Sequence, residues 1–213
     1  MKLSRWFKPV VFALCLVPLG WLLWKGVAGE LGANPIEVIT HSTGLWTLNF
    51  LLITLAITPL RKLSGLLWLI KFRRMLGLFA FFYASLHLVT YVWLDQFFDV
   101  HAMLKDVAHR PFITVGFTGL VLLVPLAVTS TRKMIQRLGG KRWQRLHRLI
   151  YVAAAAGVVH FWWLVKKDIT QPFIYGCILA GLLAYRLLAW WLPLAKPVPA
   201  IAVRRAANDQ AAG

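Results

Sequence analysis

Acidic residues are scarce in this chain. Seven Asp and Glu stand against 24 Lys and Arg in 213 residues, and charged residues of both signs make up only 15%. Soluble domains usually carry about a quarter charged residues, so an ordinary soluble domain is excluded. Cysteine is nearly absent too. Cys15 and Cys177 are the only two, and each lies in an apolar stretch, so they are expected as small buried residues and not as a disulfide or metal pair. The sequence also lacks a glycine-rich phosphate loop, a dinucleotide fingerprint, a Ser-His-Asp set and paired carboxylates within an apolar run. No internal repeat or low-complexity tract interrupts it. Nucleotide-driven chemistry, triad hydrolysis and carboxylate proton pumping all lose their usual carriers.

What is present is apolar. Hydrophobic residues make up 60% of the chain and mean hydropathy is +0.68. A membrane-crossing helix needs about 20 mostly apolar residues, and six segments qualify, at roughly 9–24, 43–60, 75–94, 112–130, 149–165 and 172–192. The expected fold is an all-α integral membrane protein, a six-helix transmembrane bundle. Residues 1–195 would form the membrane domain and 196–213 a cytoplasmic tail. Nothing left over is long enough for a soluble or flavin-binding domain. Gly26, Gly29, Gly32 and Pro35 should break the chain between the first two spans, Pro59 should end the second, and Gly139-Gly140 should divide the fourth from the fifth. Pro18 and Pro125 fall inside spans, where a kink is tolerated if neighbours satisfy the freed carbonyls.

The net charge of +17 invites a nucleic-acid reading, which its distribution opposes. With six spans and the N-terminus inside, the cytoplasmic pieces hold 19 of the 24 basic residues: three before the first span, five over 61–74, seven over 132–148 and four from Arg186 onward. Six of the seven acids (Glu30, Glu37, Asp95, Asp99, Asp106, Asp168) fall on the other side. That is the positive-inside pattern of a bacterial inner-membrane protein. Both termini should be cytoplasmic and 26–43, 95–111 and 166–171 periplasmic. Lys2, Arg5 and Lys8 before an apolar run resemble a signal peptide, but no clear small-x-small site follows, so an uncleaved first helix is expected.

Histidine carries the chemistry. His87 and His160 occur at matching depth in the third and fifth spans. Each follows a basic run, Lys71-Arg73-Arg74 or Lys141-Arg142-Arg145, by roughly the same distance, which puts both imidazoles about 18–20 Å in. Uncharged histidines at that depth are costly unless they bind something. Two of them on neighbouring helices, without a carboxylate, suit a bis-imidazole haem better than zinc, and haem between the third and fifth helices is the expectation. The alternative is that each simply bonds a neighbouring helix. Gly77, Ala80, Ala84 and residues 153–157 offer small surfaces around which backbones could part, or plain helix packing. His147 lies thirteen residues before His160, roughly 140° around and about 20 Å along one helix, so the two cannot share an iron. At the height of His147 the third span offers only Arg73 to Met75, so a second haem there would need an unusual second ligand. His101 and His109 are expected as solvated loop residues. His41 is either a helix-entry residue or part of a small-molecule site.

Three stretches together resemble a known family: Leu86-His87-Leu88-Val89-Thr90-Tyr91; Gly140-Lys141-Arg142-Trp143-Gln144-Arg145-Leu146-His147-Arg148-Leu149-Ile150-Tyr151; and Asn34-Pro35-Ile36 through His41-Ser42-Thr43-Gly44. They are similar to the MsrQ (YedZ-type) haem-binding membrane subunits of bacterial periplasmic methionine sulfoxide reductase systems, within the ferric-reductase-like transmembrane group. The similarity covers about 34–185. It implies that His87, His147 and His160 are the haem b ligand set, with one haem or two, and that FMN associates. It further implies electrons from the quinone pool or a cytosolic flavin reductase, and delivery to a periplasmic molybdopterin-containing subunit that repairs oxidised methionine. Two rivals share parts of the pattern. A self-standing transmembrane metal or quinone reductase would keep the haem pair, and a transporter or structural bundle would keep only the spans.

Overall fold

The computed structural model describes residues 7–165 and 167–191; the expected tail and the first six residues lie outside them. Among the described residues there are helices and no strands, as the composition requires. Helix α1 is Phe7–Val27, and α2 is Pro35–Ser64. A short 3-10 turn at Leu67–Leu69 leads into α3, Ile70–Val89, which runs on as a π-helical turn over Thr90–Asp95. Then come α4 (Val100–His109), α5 (Pro111–Val128), α6 (Arg132–Leu138), α7 (Gly140–Leu146), α8 (Leu149–Leu164) and α9 (Thr170–Trp191).

Local chemistry explains most boundaries. Asn34 caps α2 by accepting from the Glu37 N–H, its amide donates back to the Glu37 carboxylate at 2.9 Å, and Pro35 takes the first helical position. The helix therefore begins eight residues before the apolar run that marks it. Pro59 does not end it, contrary to the expectation. The backbone passes through the proline and stops at Gly65, whose φ of 71° is left-handed. Pro18 lies inside α1, and the Tyr83 hydroxyl of α3 bridges Cys15 and Leu19 beside it. It donates to the Cys15 carbonyl at 2.9 Å and receives the Leu19 N–H at 3.2 Å. A neighbouring helix thus satisfies backbone groups next to the proline. The 95–110 stretch, expected as loop, contains α4, capped by the Asp99 carboxylate on the Ala102 N–H at 3.0 Å. His101 and His109 are exposed on it.

Five of these segments (α1, α2, Leu67–Asp95, α5 and α9) are long and apolar enough to cross a membrane. The remaining expected span forms α8, whose 16 residues reach only about 24 Å, with α7 before it across a two-residue turn. His147 stands in that turn, as the residue closing α7, so it is not on one unbroken helix with His160 as expected. Outward faces carry Trp21, Leu23, Phe117, Val121 and Ile178, all exposed, as lipid contact demands.

The bundle is two intimate helix pairs, α2 with α3 and α5 with α8, joined edge to edge. Lipid tails are as apolar as leucine, so close approach and shape hold such helices together. Gly77 of α3 admits Thr54 of α2, and Gly119 of α5 admits Ala156 of α8. Small residues expected around a cofactor slot are spent here on packing. Phe50 of α2 stacks between Phe79 and Tyr83 of α3, with ring centres 5.7 and 5.3 Å away. Leu55, Ala80 and Ala154 are wholly buried. Cys15 is buried as expected, but Cys177 faces outward from α9 and is exposed. The antiparallel course gathers six acids at one end of the bundle and the Arg61–Arg74 and Arg132–Arg148 runs at the other.

Candidate haem-ligand site

His87 of α3 and His160 of α8 meet near the acidic end, with ring centres 6.1 Å apart and ring planes at 78°. Among the described residues α3 and α8 form no extensive interface with each other. The two histidines therefore meet where the α2/α3 pair borders the α5/α8 pair.

Each ring is held in the same way. The Nδ1 of His87 donates to the Thr40 carbonyl of α2 at 2.9 Å, and the Nδ1 of His160 donates to the Phe112 carbonyl of α5 at 2.7 Å. A carbonyl can only accept, so both rings carry a proton on Nδ1, and in the neutral form each ring keeps Nε2 as its free acceptor. The partner helix places a glycine four residues beyond each carbonyl. A Cβ on Gly44 would lie 3.1 Å from His87 Cε1, and one on Gly116 would lie 2.6 Å from His160 Nδ1. A side chain at Gly116 forces the His160 ring to shift, and one at Gly44 asks the His87 ring to give by a few tenths of an ångström. Thr40 with Gly44 and Phe112 with Gly116 are thus one device used twice. Sequence reasoning missed all four residues as positioning groups, because two act through backbone oxygen and the two glycines carry no signal of which ring they face.

An imidazole nitrogen sits about 2 Å from a metal it ligates and the ring centre roughly 1.1 Å further back, so two imidazoles on one iron have centres roughly 6 Å apart. The observed spacing fits that arrangement. Proton placement fits it as well, since metal-ligating histidines usually donate their other N–H to a carbonyl or carboxylate.

The other predicted residues lie elsewhere. His147, at the basic end, stacks on Trp143 with ring centres 3.8 Å apart, and its Nδ1 donates to the Trp143 carbonyl at 3.1 Å. Its Nε2 is buried near the Leu126 carbonyl without the geometry of a hydrogen bond. Arg73 is within electrostatic reach of that ring, as the height count from the sequence required, and no second histidine faces it. His41 stands two turns into α2 with its ring edge against Phe161 at 5.8 Å. It lines an open groove with Glu37, Ser42, Trp46 and Asn49.

The architecture is a helical membrane bundle with two tautomer-fixed histidines facing across it. Residues 42–158 match the family described as the ferric reductase like transmembrane component. Similar proteins include one from Herminiimonas arsenicoxydans, 60% identical over 86% of this chain and 85% of the relative. Others come from Azospira oryzae (54%, over 85% and 78%) and Polaromonas naphthalenivorans (46%, over 97% and 91%). All three are named protein-methionine-sulfoxide reductase heme-binding subunit MsrQ. The chain belongs to the ferric-reductase-like transmembrane family and, within it, to the MsrQ branch.

Proposed function

We propose that this chain is the haem b electron-transfer subunit of a methionine sulfoxide reductase system in a bacterial inner membrane. Electrons come from the quinone pool or a cytosolic flavin reductase and pass to a periplasmic molybdopterin-containing reductase. The observation that carries the reading is the His87/His160 pair, two rings 6.1 Å apart whose Nδ1 atoms are both committed to backbone carbonyls. When bound, haem supplies a one-electron ferric/ferrous couple.

The chain's own residues do the rest. The Thr40 and Phe112 carbonyls fix the tautomer and raise the basicity of each Nε2, while Gly44 and Gly116 let the rings approach them. Apolar neighbours exclude water and help set the potential. His160 lies four residues from the end of α8, or about 6 Å of helix, so a partner docked at the acidic end comes within electron-transfer reach. The basic end faces the cytoplasm in this reading, which turns Glu30, Glu37, Asp95, Asp99 and Asp106 toward the periplasm and favours a partner with a basic patch. His147, half-buried at the other end, is the candidate ligand of a second haem, and FMN association follows the family resemblance alone.

The test is to reduce the purified haem protein and follow its reoxidation by the periplasmic reductase with methionine sulfoxide present. Reoxidation should depend on both reductase and sulfoxide and should slow with salt. Asp99 caps α4, and Asp106 receives Tyr91, Gln96 and Arg110, so Glu30→Lys with Asp95→Lys is the cleaner charge probe. That pair should slow reoxidation several-fold at low salt. Full activity on metals or quinones with no partner would favour a self-standing reductase instead.

A further inference from the structure

Arg186 is the single charge in α9, whose sequence from Thr170 to Trp191 is otherwise uncharged and mostly apolar. A cation on a membrane-crossing helix is costly and rare, and it is kept where it bonds something specific. Its two terminal nitrogens reach two different helices. One donates to the Tyr151 hydroxyl of α8, with the guanidinium 4.9 Å over the same ring, and the other donates to the Leu55 carbonyl of α2 at 2.6 Å. That carbonyl is a particular one. A helical carbonyl is normally bonded by the N–H four residues on, and four residues after Leu55 stands Pro59, which has none. The proline ring also crowds the carbonyl it deprives. Leu55 is wholly buried, so the freed oxygen needs a donor from the protein itself. Arg186 is that donor, and α2 runs on through Pro59 to Ser64 with its open position filled from α9.

The same two contacts join the helices behind the two histidines. Helix α2 holds His87 through the Thr40 carbonyl, and α8 carries His160. Tyr151 precedes His160 by nine residues, about 14 Å of helix, and Leu55 follows Thr40 by fifteen, about 22 Å. Because α2 and α8 belong to different helix pairs, the spacing between them governs how the two rings face one another. A guanidinium is a planar fork whose donors keep fixed directions, so one that bonds both helices at once fixes their spacing at the basic end.

We propose that Arg186 is a positioning residue for the His87/His160 pair, a role that rests on the haem-pair reading above. Seated on the carbonyl that Pro59 leaves open, it ties α8 to α2 and holds the two rings at their mutual distance and angle from the far end of the bundle.

The experiment uses the haem-loaded full chain in a mild detergent and takes two readouts. One is resistance to unfolding by added sodium dodecyl sulfate. The other is electron paramagnetic resonance of the low-spin haem, whose g values follow the angle between the two ligand planes, together with its midpoint potential. Arg186→Met should lower the resistance and shift both the g values and the potential. Adding Pro59→Ala gives the Leu55 carbonyl an N–H from its own helix, so the double variant should regain resistance while the spectral shift stays. Tyr151→Phe removes only the hydrogen bond to α8, and should shift the signal in the same direction by less. Should Arg186→Met not fold, the double variant carries the spectral test. Wild-type g values and potential in Arg186→Met overturn the proposal. The same result in the double variant overturns it too, because the arginine would then serve α2 alone. A wild type with no low-spin bis-histidine signal overturns the haem-pair reading and this proposal with it, and is told apart by needing no variant.

Discussion

The two ends of the bundle treat buried histidine differently. At the acidic end His87 and His160 are each tied to a backbone carbonyl, each packed on a glycine, and turned toward one another. At the basic end His147 has the same Nδ1-to-carbonyl tether, yet it is pressed against Trp143 with its Nε2 buried and an arginine nearby. One tether holds Nδ1 in both places, but a second tethered imidazole faces it in only one. A matched pair of rings arises only where two such tethers face one another, and histidine at the right depth is not sufficient for that.

The strongest way to break this comparison is to remove a member of the matched pair. His87→Ala or His160→Ala should each abolish the low-spin bis-histidine spectrum of the purified protein, read by reduced-minus-oxidised absorption and electron paramagnetic resonance. Persistence of that spectrum in both single variants would dissolve the pairing.

The glycines give the next largest effect. Gly116→Ala places a Cβ 2.6 Å from His160 Nδ1, whereas Gly44→Ala approaches His87 to 3.1 Å. Overpacking of this kind costs about 1–3 kcal/mol, so haem occupancy should fall markedly in Gly116→Ala and less in Gly44→Ala. Equal occupancy in both variants and wild type would mean the rings are not held by those carbonyls.

The smallest effect on the pair should come from His147→Ala, which ought to leave the bis-histidine signal within error of wild type. Any haem lost should be a separate component with its own midpoint potential. Loss of the low-spin signal itself would show the two ends to be one coupled site.

Much of this was legible beforehand. Counting from the basic runs put His87 and His160 at one height, and the same count put Arg73 opposite His147, because helical rise is uniform and both helices start at the same face. The start of α2 was misread because Glu37 and His41 lower the hydropathy of its first two turns, although the Asn34-Pro35 start signal was visible. Helix α4 was misread because its apolar positions, Val100, Met103, Leu104 and Val107, are few and embedded in charge. The roles of Thr40 and Phe112 were not legible from side chains at all, since both act through backbone oxygen. The π-helical turn after His87 has no signal in residue type that we recognise.

Each carbonyl-and-glycine seat belongs to one helix pair, and this orders the birth of the protein. The seat for His87 is built from α2 and α3, which follow one another in the chain, so it is whole once α3 has left the ribosome and entered the membrane. The seat for His160 needs both α5 and α8, and its histidine is made 73 positions later. A nascent chain therefore carries one finished jaw of a clamp through most of its synthesis and gains the opposing jaw only near the end. A cofactor gripped by both jaws can be captured only after that moment, when it ties two separately assembled halves into one body.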